Sequence, residues 1–122
     1  MSTEDPAQSA VHAGGTASDI PVEPQSLEWM RRLVAIPSIS GTSNLGVIEL
    51  IEAEFARYGY TGQRTYNADQ TRANLWVTVP AADGSTEGGI VISGHTDVVP
   101  VEGQTWDSDP FTLRVEGSRA YG

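Results

Sequence analysis

One short stretch of this sequence carries side chains that could bind a metal ion: Gly94, His95, Thr96 and Asp97. In an extended backbone, residues two apart project to the same side, so His95 and Asp97 can converge on one point. A neutral imidazole is a good ligand for a divalent ion, and a nearby carboxylate can orient the ring, fix its tautomer or act on a metal-activated water. The pair therefore indicates a candidate metal site.

The same spacing has a second interpretation, in which the histidine forms a hydrogen bond within its own loop. On spacing alone, the two interpretations are equally favoured. One imidazole and one carboxylate also fall short of the usual ligand set of a zinc site. The second histidine, His12, lies in a stretch of small and polar residues and adds no predicted ligand.

Two helices are predicted before this stretch. Ser26 can cap the first, and Pro37 ends it. Ser43 or Asn44 can cap the second, and Gly59 supplies the left-handed residue that stops it. Apolar residues recur at helical spacing in both, at Leu27, Met30, Leu33 and Val34 and then at Leu45, Ile48, Ile51 and Phe55.

After the helices, the pattern changes to strands, predicted at residues 60–66, 74–79 and 89–93. Residues 90–92 are continuously apolar, which is typical of a central strand covered on both faces. Ligand sites in α/β sheets lie beyond the carboxyl ends of strands, so His95 is well placed for one. A short strand at 111–115, a turn at 116–118 and a new strand at 120–122 complete an α/β pattern of two helices followed by a sheet.

Composition limits the chemistry that is available to the 122 residues. The absence of cysteine and lysine excludes thiolate ligands and Schiff-base chemistry. The net charge of -9 and the scattered arginines do not favour nucleic acid as a partner. The small and polar composition of residues 1–25 predicts a disordered tail, and we expect residues 26–122 to belong to one domain. No signal peptide or membrane-spanning run is found, so we expect a cytoplasmic protein.

Longer motifs extend across the domain from residue 26 onward. They are the stretches at 33–40, 73–76 and 91–100, followed by Trp106, by Asp109-Pro110-Phe111 and by Ala120-Tyr121-Gly122. Together they resemble the metallopeptidase family that includes amino-acid deacetylases, desuccinylases, aminoacylases and carboxypeptidases. The resemblance implies the N-terminal part of a three-layer, zinc-peptidase-like catalytic domain with a mixed sheet.

The resemblance also implies residue roles. His95 would ligate one of two zinc or cobalt ions, and Asp97 would be the active-site carboxylate that orients the His95 ring. Trp106, Pro110 and Phe111 would pack the loop after the site. The partner would be a small N-acyl amino acid, and the complete enzyme could be a homodimer.

The family motif continues past Tyr-Gly with Arg-Gly-x-x-Asp, whose aspartate bridges the two ions, and later adds a glutamate base. Neither group occurs within residues 1–122. We therefore expect these residues alone to bind metal weakly and to show no hydrolase activity. A desuccinylase or peptidase of the same family, and a non-catalytic remnant or binding module, remain alternatives.

Overall fold

The computed structural model describes residues 24–122, which form two helices and two small antiparallel sheets. The elements in chain order are α1 (Pro24–Val34), α2 (Leu45–Arg57), β1 (Gly62–Tyr66), β2 (Ala73–Val77), β3 (Arg114–Glu116) and β4 (Arg119–Tyr121). This content confirms the α/β class, whereas the three-layer layout stays a prediction. The predicted tail falls mainly on residues 1–23, outside the described residues.

Helix α1 already includes Pro24, the first described residue, so Ser26 lies inside the helix and not at its cap. A proline fits the first turn of a helix because its φ is already helical and its missing N–H would have no partner there. The prediction of a Ser26 cap was therefore wrong. The helix ends at Val34, before Pro37, and the Arg32 guanidinium lies 4.5 Å from the centre of the Trp29 ring.

Helix α2 begins and ends where the sequence predicts. Asn44 is its N-terminal flanking residue, and the Leu45 N–H donates to the Ser43 hydroxyl at 3.3 Å. Gly59 follows the helix with a φ of 83°, the left-handed conformation that a side chain disfavours. Val47 and Ile48 are each only 3% exposed, and α2 contacts both β1 and β2.

The same substitution at two glycines of this region is expected to have opposite effects on stability. A Cβ at Gly46, inside α2, would lie 3.5 Å from Ile36 Cγ2, an ordinary contact. Gly46→Ala should therefore raise the free energy of unfolding by about 0.5–1 kcal/mol. Gly59→Ala should lower it by about 1 kcal/mol because of the positive φ. Urea denaturation of both variants checks this, and a change of the same sign in both would contradict it.

Strands β1 and β2 form an antiparallel hairpin in which Arg64 lies opposite Leu75. An ion pair links this hairpin to α2. In it, the Arg64 Nε donates a hydrogen bond to Glu52 Oε2 at 3.0 Å. This hydrogen bond, together with one to the Tyr66 hydroxyl, raises the pKa of the Arg64 guanidinium above its ordinary value. The first two predicted strands are thus confirmed, although β1 starts two residues later than predicted, and β2 starts one residue earlier and ends two residues earlier.

Strands β3 and β4 form a second hairpin, with Glu116 opposite Arg119. Gly117 has a φ of 57° in the connecting turn, so the turn predicted at 116–118 is confirmed. The first strand starts at Arg114 instead of residue 111. Asp109 explains the shift, because its carboxylate accepts from the Phe111 N–H at 2.8 Å and holds residues 109–112 in a turn.

The strand predicted at residues 89–93 does not form, and this corrects the prediction of a buried central strand. Ile90, Val91 and Ile92 are 91%, 69% and 94% exposed. A strand needs neighbouring backbone for its N–H and carbonyl groups, and no strand of the described residues pairs with this stretch. The apolar run thus lies in a stretch without regular secondary structure, and His95 does not follow a strand.

Candidate functional site

The structure brings His95 and Asp97 into direct contact. His95 Nδ1 lies 2.8 Å from Asp97 Oδ1. The two side chains are 84% and 52% exposed, so the pair lies at the surface. The predicted convergence of the two residues is therefore observed, although the backbone around them is irregular. The contact also agrees with the simpler interpretation of a histidine bonded within its own loop.

The contact determines which ring nitrogen is free. An ionised carboxylate can only accept hydrogen bonds, so Nδ1 must carry the proton and donate it to Asp97. In the neutral ring, the lone pair is then on Nε2. An exposed imidazole with a free Nε2 and a carboxylate behind Nδ1 is the usual arrangement of a metal-ligating histidine.

A third residue, Ser40, completes the hydrogen bonding of the carboxylate. Its hydroxyl donates to Asp97 Oδ2, while His95 occupies Oδ1. The hydrogen bond from Ser40, followed by that from His95, lowers the pKa of Asp97 below its ordinary value. Asp97 is therefore ionised near neutral pH. Ser40 could not be identified from the sequence, because no local pattern links residues so far apart in the chain.

Backbone contacts hold the site segment, residues 94–98, against the connection between the two helices. The Ser40 N–H donates to the Val98 carbonyl at 2.8 Å, and the Val98 N–H donates to the Ser38 carbonyl at 3.0 Å. Ile39 and Val98 form an isolated parallel bridge. The buried Ser38 hydroxyl adds a bond to the Thr96 carbonyl at 2.5 Å.

The side chain of Asn44 connects three parts of the fold. Its amide group bonds both backbone groups of Ala73, as acceptor from the N–H and as donor to the carbonyl, each at 2.9 Å. It also lies 3.3 Å from Thr96 Oγ1, next to His95. Asn44 was predicted as a helix cap, but its side chain makes no capping hydrogen bond. Its role is to join α2, β2 and the site segment.

Asn44→Ala is expected to lower the free energy of unfolding by about 1–3 kcal/mol, because it leaves both backbone groups of the buried Ala73 without their partner. Asn44→Ser should not restore stability, since serine caps helices well but is too short to reach Ala73. Asn74→Ala, at an exposed position of β2, is the matched control. Denaturant unfolding of the three variants measures the difference, and full rescue by serine would contradict the assignment.

Two cavities adjoin the site segment. The larger, of about 840 Å³, lies between the segment and β2. The smaller, of about 440 Å³, is lined mainly by apolar side chains of α1, α2 and the loop after the site. Trp106, Pro110 and Phe111 line the smaller cavity, together with His95 and Val98. The resemblance predicted that these three residues pack this loop, and their position fits that role.

The described residues do not form a complete metal site. Within residues 24–122, no group of three histidine, aspartate or glutamate side chains converges as a metal would require. His95 offers one imidazole nitrogen, and both oxygens of Asp97 already accept hydrogen bonds. This donor set fits one ligand of a metal centre and nothing more. His12, the other histidine, lies outside the described residues.

Comparison with curated proteins finds relatives of this chain that are named as enzymes. The matched relatives are acetylornithine deacetylases, to which the motifs between residues 26 and 122 also point, so the resemblance is confirmed. The protein of Erwinia tasmaniensis is 35% identical over 106 residues, which cover 81% of this chain and 27% of the relative. Those of Salmonella arizonae and Salmonella paratyphi B are each 33% identical over 108 residues. In both cases the match covers 83% of this chain and 27% of the relative.

The chain thus spans about a quarter of the length of the curated relatives that it matches. No family model matches the chain, and no solved structure matches it. The similarity to the deacetylases therefore comes from sequence alone.

Proposed function

We propose that this chain is part of a metal-dependent hydrolase of N-acyl amino acids. The proposed reaction converts N2-acetyl-L-ornithine and water to L-ornithine and acetate, a step of arginine biosynthesis. The observation that carries the proposal is the His95–Asp97 contact of 2.8 Å, which leaves Nε2 of an exposed imidazole free. The names of the relatives supply the substrate.

In this proposal, His95 ligates one of two zinc or cobalt ions through Nε2. Asp97 holds the proton on Nδ1 and makes the ring a stronger donor. Ions bound in such a centre polarise the scissile carbonyl and acidify a water molecule. Because the described residues supply one ligand, the remaining ligands and the general base have to come from other parts of the protein.

Cytoplasmic location and a homodimeric complete enzyme remain part of the proposal. Among residues 24–122, neither helix has the length and apolar character needed to cross a membrane. The acidic composition, with a net charge of -9, is compatible with a small-molecule substrate and gives no basic surface for nucleic acid.

The test begins with the genomic sequence past codon 122. The product of the whole reading frame is purified, its zinc and cobalt content is measured, and hydrolysis of N2-acetyl-L-ornithine is assayed before and after chelation. We expect activity that chelation removes and added metal restores. Preference for an N-succinyl amino acid or a dipeptide would instead indicate a desuccinylase or peptidase. A reading frame without further ligands and without activity would indicate a non-catalytic binding module.

Residues 1–122 expressed alone provide a further prediction. We expect no measurable deacetylation, because one imidazole cannot hold a metal centre. The same substrate assay, with zinc or cobalt added, checks this. Turnover by the isolated 122-residue chain above that of a His95→Ala variant would contradict it, and would mean that the required groups lie within these residues.

A further inference from the structure

The connection between α1 and α2 touches the candidate site more closely than any other element of residues 24–122. Residues 38–40 run alongside residues 96–98, joined by two backbone hydrogen bonds and by the Ser38 hydroxyl on the Thr96 carbonyl. This arrangement fixes the backbone of Ser40 relative to Asp97. The Ser40 hydroxyl then reaches the Asp97 carboxylate, 57 positions away in sequence.

The two oxygens of Asp97 have different partners. Oδ2 accepts from Ser40, and Oδ1 accepts from His95. The terminal torsion of an aspartate is soft, so one hydrogen bond leaves the carboxylate plane free to rotate. Two bonds from opposite sides fix that plane. Since Asp97 is half exposed, packing cannot replace the second bond.

We propose that Ser40 is a positioning residue, which holds the Asp97 carboxylate so that His95 keeps its proton on Nδ1 and presents Nε2 to solvent. The role acts through Asp97, because the described contacts of the Ser40 hydroxyl are to that carboxylate and not to the ring. Its effect on the His95 tautomer follows from the hydrogen bonds alone. Its effect on metal binding rests on the proposed function.

The direct test is the tautomer of His95 at a pH where the ring is neutral. Nitrogen-15 NMR of a dilute sample of the 122-residue chain, labelled at histidine, distinguishes a proton on Nδ1 from one on Nε2. A His12→Gln background leaves His95 as the sole histidine. We expect the Nδ1–H form to dominate, and we expect Ser40→Ala to shift the population toward Nε2–H, the form that a free imidazole prefers.

Two variants separate positioning from a general structural effect. Ser40→Thr keeps the hydroxyl and should retain the original tautomer. Thr42→Val removes a hydroxyl from the same connection, where it bonds the Ile39 carbonyl at 2.7 Å, and should leave the tautomer unchanged. Amide spectra of each variant verify the fold. An unchanged tautomer in Ser40→Ala, or an equal shift in Thr42→Val, would overturn the proposal.

Zinc affinity of the whole reading-frame product supplies the second readout. Ser40→Ala should weaken zinc binding by about tenfold, the low end of the range for groups that support a metal-bound histidine. A tautomer shift without any zinc binding in the parent protein would support the positioning role and reject the metal-dependent function. Zinc binding with no tautomer shift would support the metal site and reject the role of Ser40.

Discussion

His95→Ala is expected to lower kcat/KM for N2-acetyl-L-ornithine by about a thousandfold in the whole reading-frame product. The loss follows because a bound metal contributes several kcal/mol to the stabilisation of the transition state, and about 1.4 kcal/mol corresponds to a factor of ten in rate. The variant should also lose bound zinc or cobalt, which elemental analysis of the purified protein measures. The fold should not change, because the His95 side chain is 84% exposed.

His12→Ala is the matched control, since it removes a histidine that the sequence does not connect with the site. It should retain both the metal and the rate of the parent protein. If His95→Ala keeps its full metal content and turnover, His95 is not a ligand. The interpretation as a histidine bonded within its own loop would then be correct.

Asp97→Asn is expected to weaken metal binding by about 10–100-fold without abolishing it. The amide keeps the shape of the side chain, but it lacks the negative charge that makes the His95 ring a better donor. Because hydrogen bonds from Ser40 and His95 lower the pKa of Asp97, the native group is charged across the neutral range, and the substitution removes a full negative charge there. Competition titration with a zinc chelator measures the affinity.

Asp107→Asn, at an exposed position outside the described contacts of the site, controls for the loss of one negative charge. It should leave the affinity unchanged. A loss as complete in Asp97→Asn as in His95→Ala would mean that Asp97 itself coordinates the ion. Asp97 would then have to release one of its two hydrogen bonds when metal binds.

The helices and hairpins could be predicted from the sequence because their signals are local. The apolar spacing of α2 and the positive φ of Gly59 are properties of a few neighbouring residues. The strand at residues 89–93 could not be predicted in the same way. An apolar run indicates affinity for a core, but strand formation depends on partners from other parts of the chain, and residues 24–122 provide none.

Only part of the candidate site could be predicted from the sequence, because only some of its contacts are local. His95 and Asp97 are two residues apart, so their convergence is a local property of the backbone. Ser40 and Asn44 reach the site from the region before α2, across 57 and 52 positions respectively. Contacts at such separations leave no spacing pattern in a single sequence. The proposed metal role needs further ligands, and no such group converges among residues 24–122.

The exposed run of Ile90, Val91 and Ile92 has a consequence for handling the protein. Three successive β-branched residues without charge or proline are prone to intermolecular pairing, in which the backbone of one molecule aligns with that of the next. Concentrated solutions of residues 1–122 should therefore form β-rich aggregates that begin at this stretch. A lysine placed among these residues would act as a gatekeeper and keep the molecules apart.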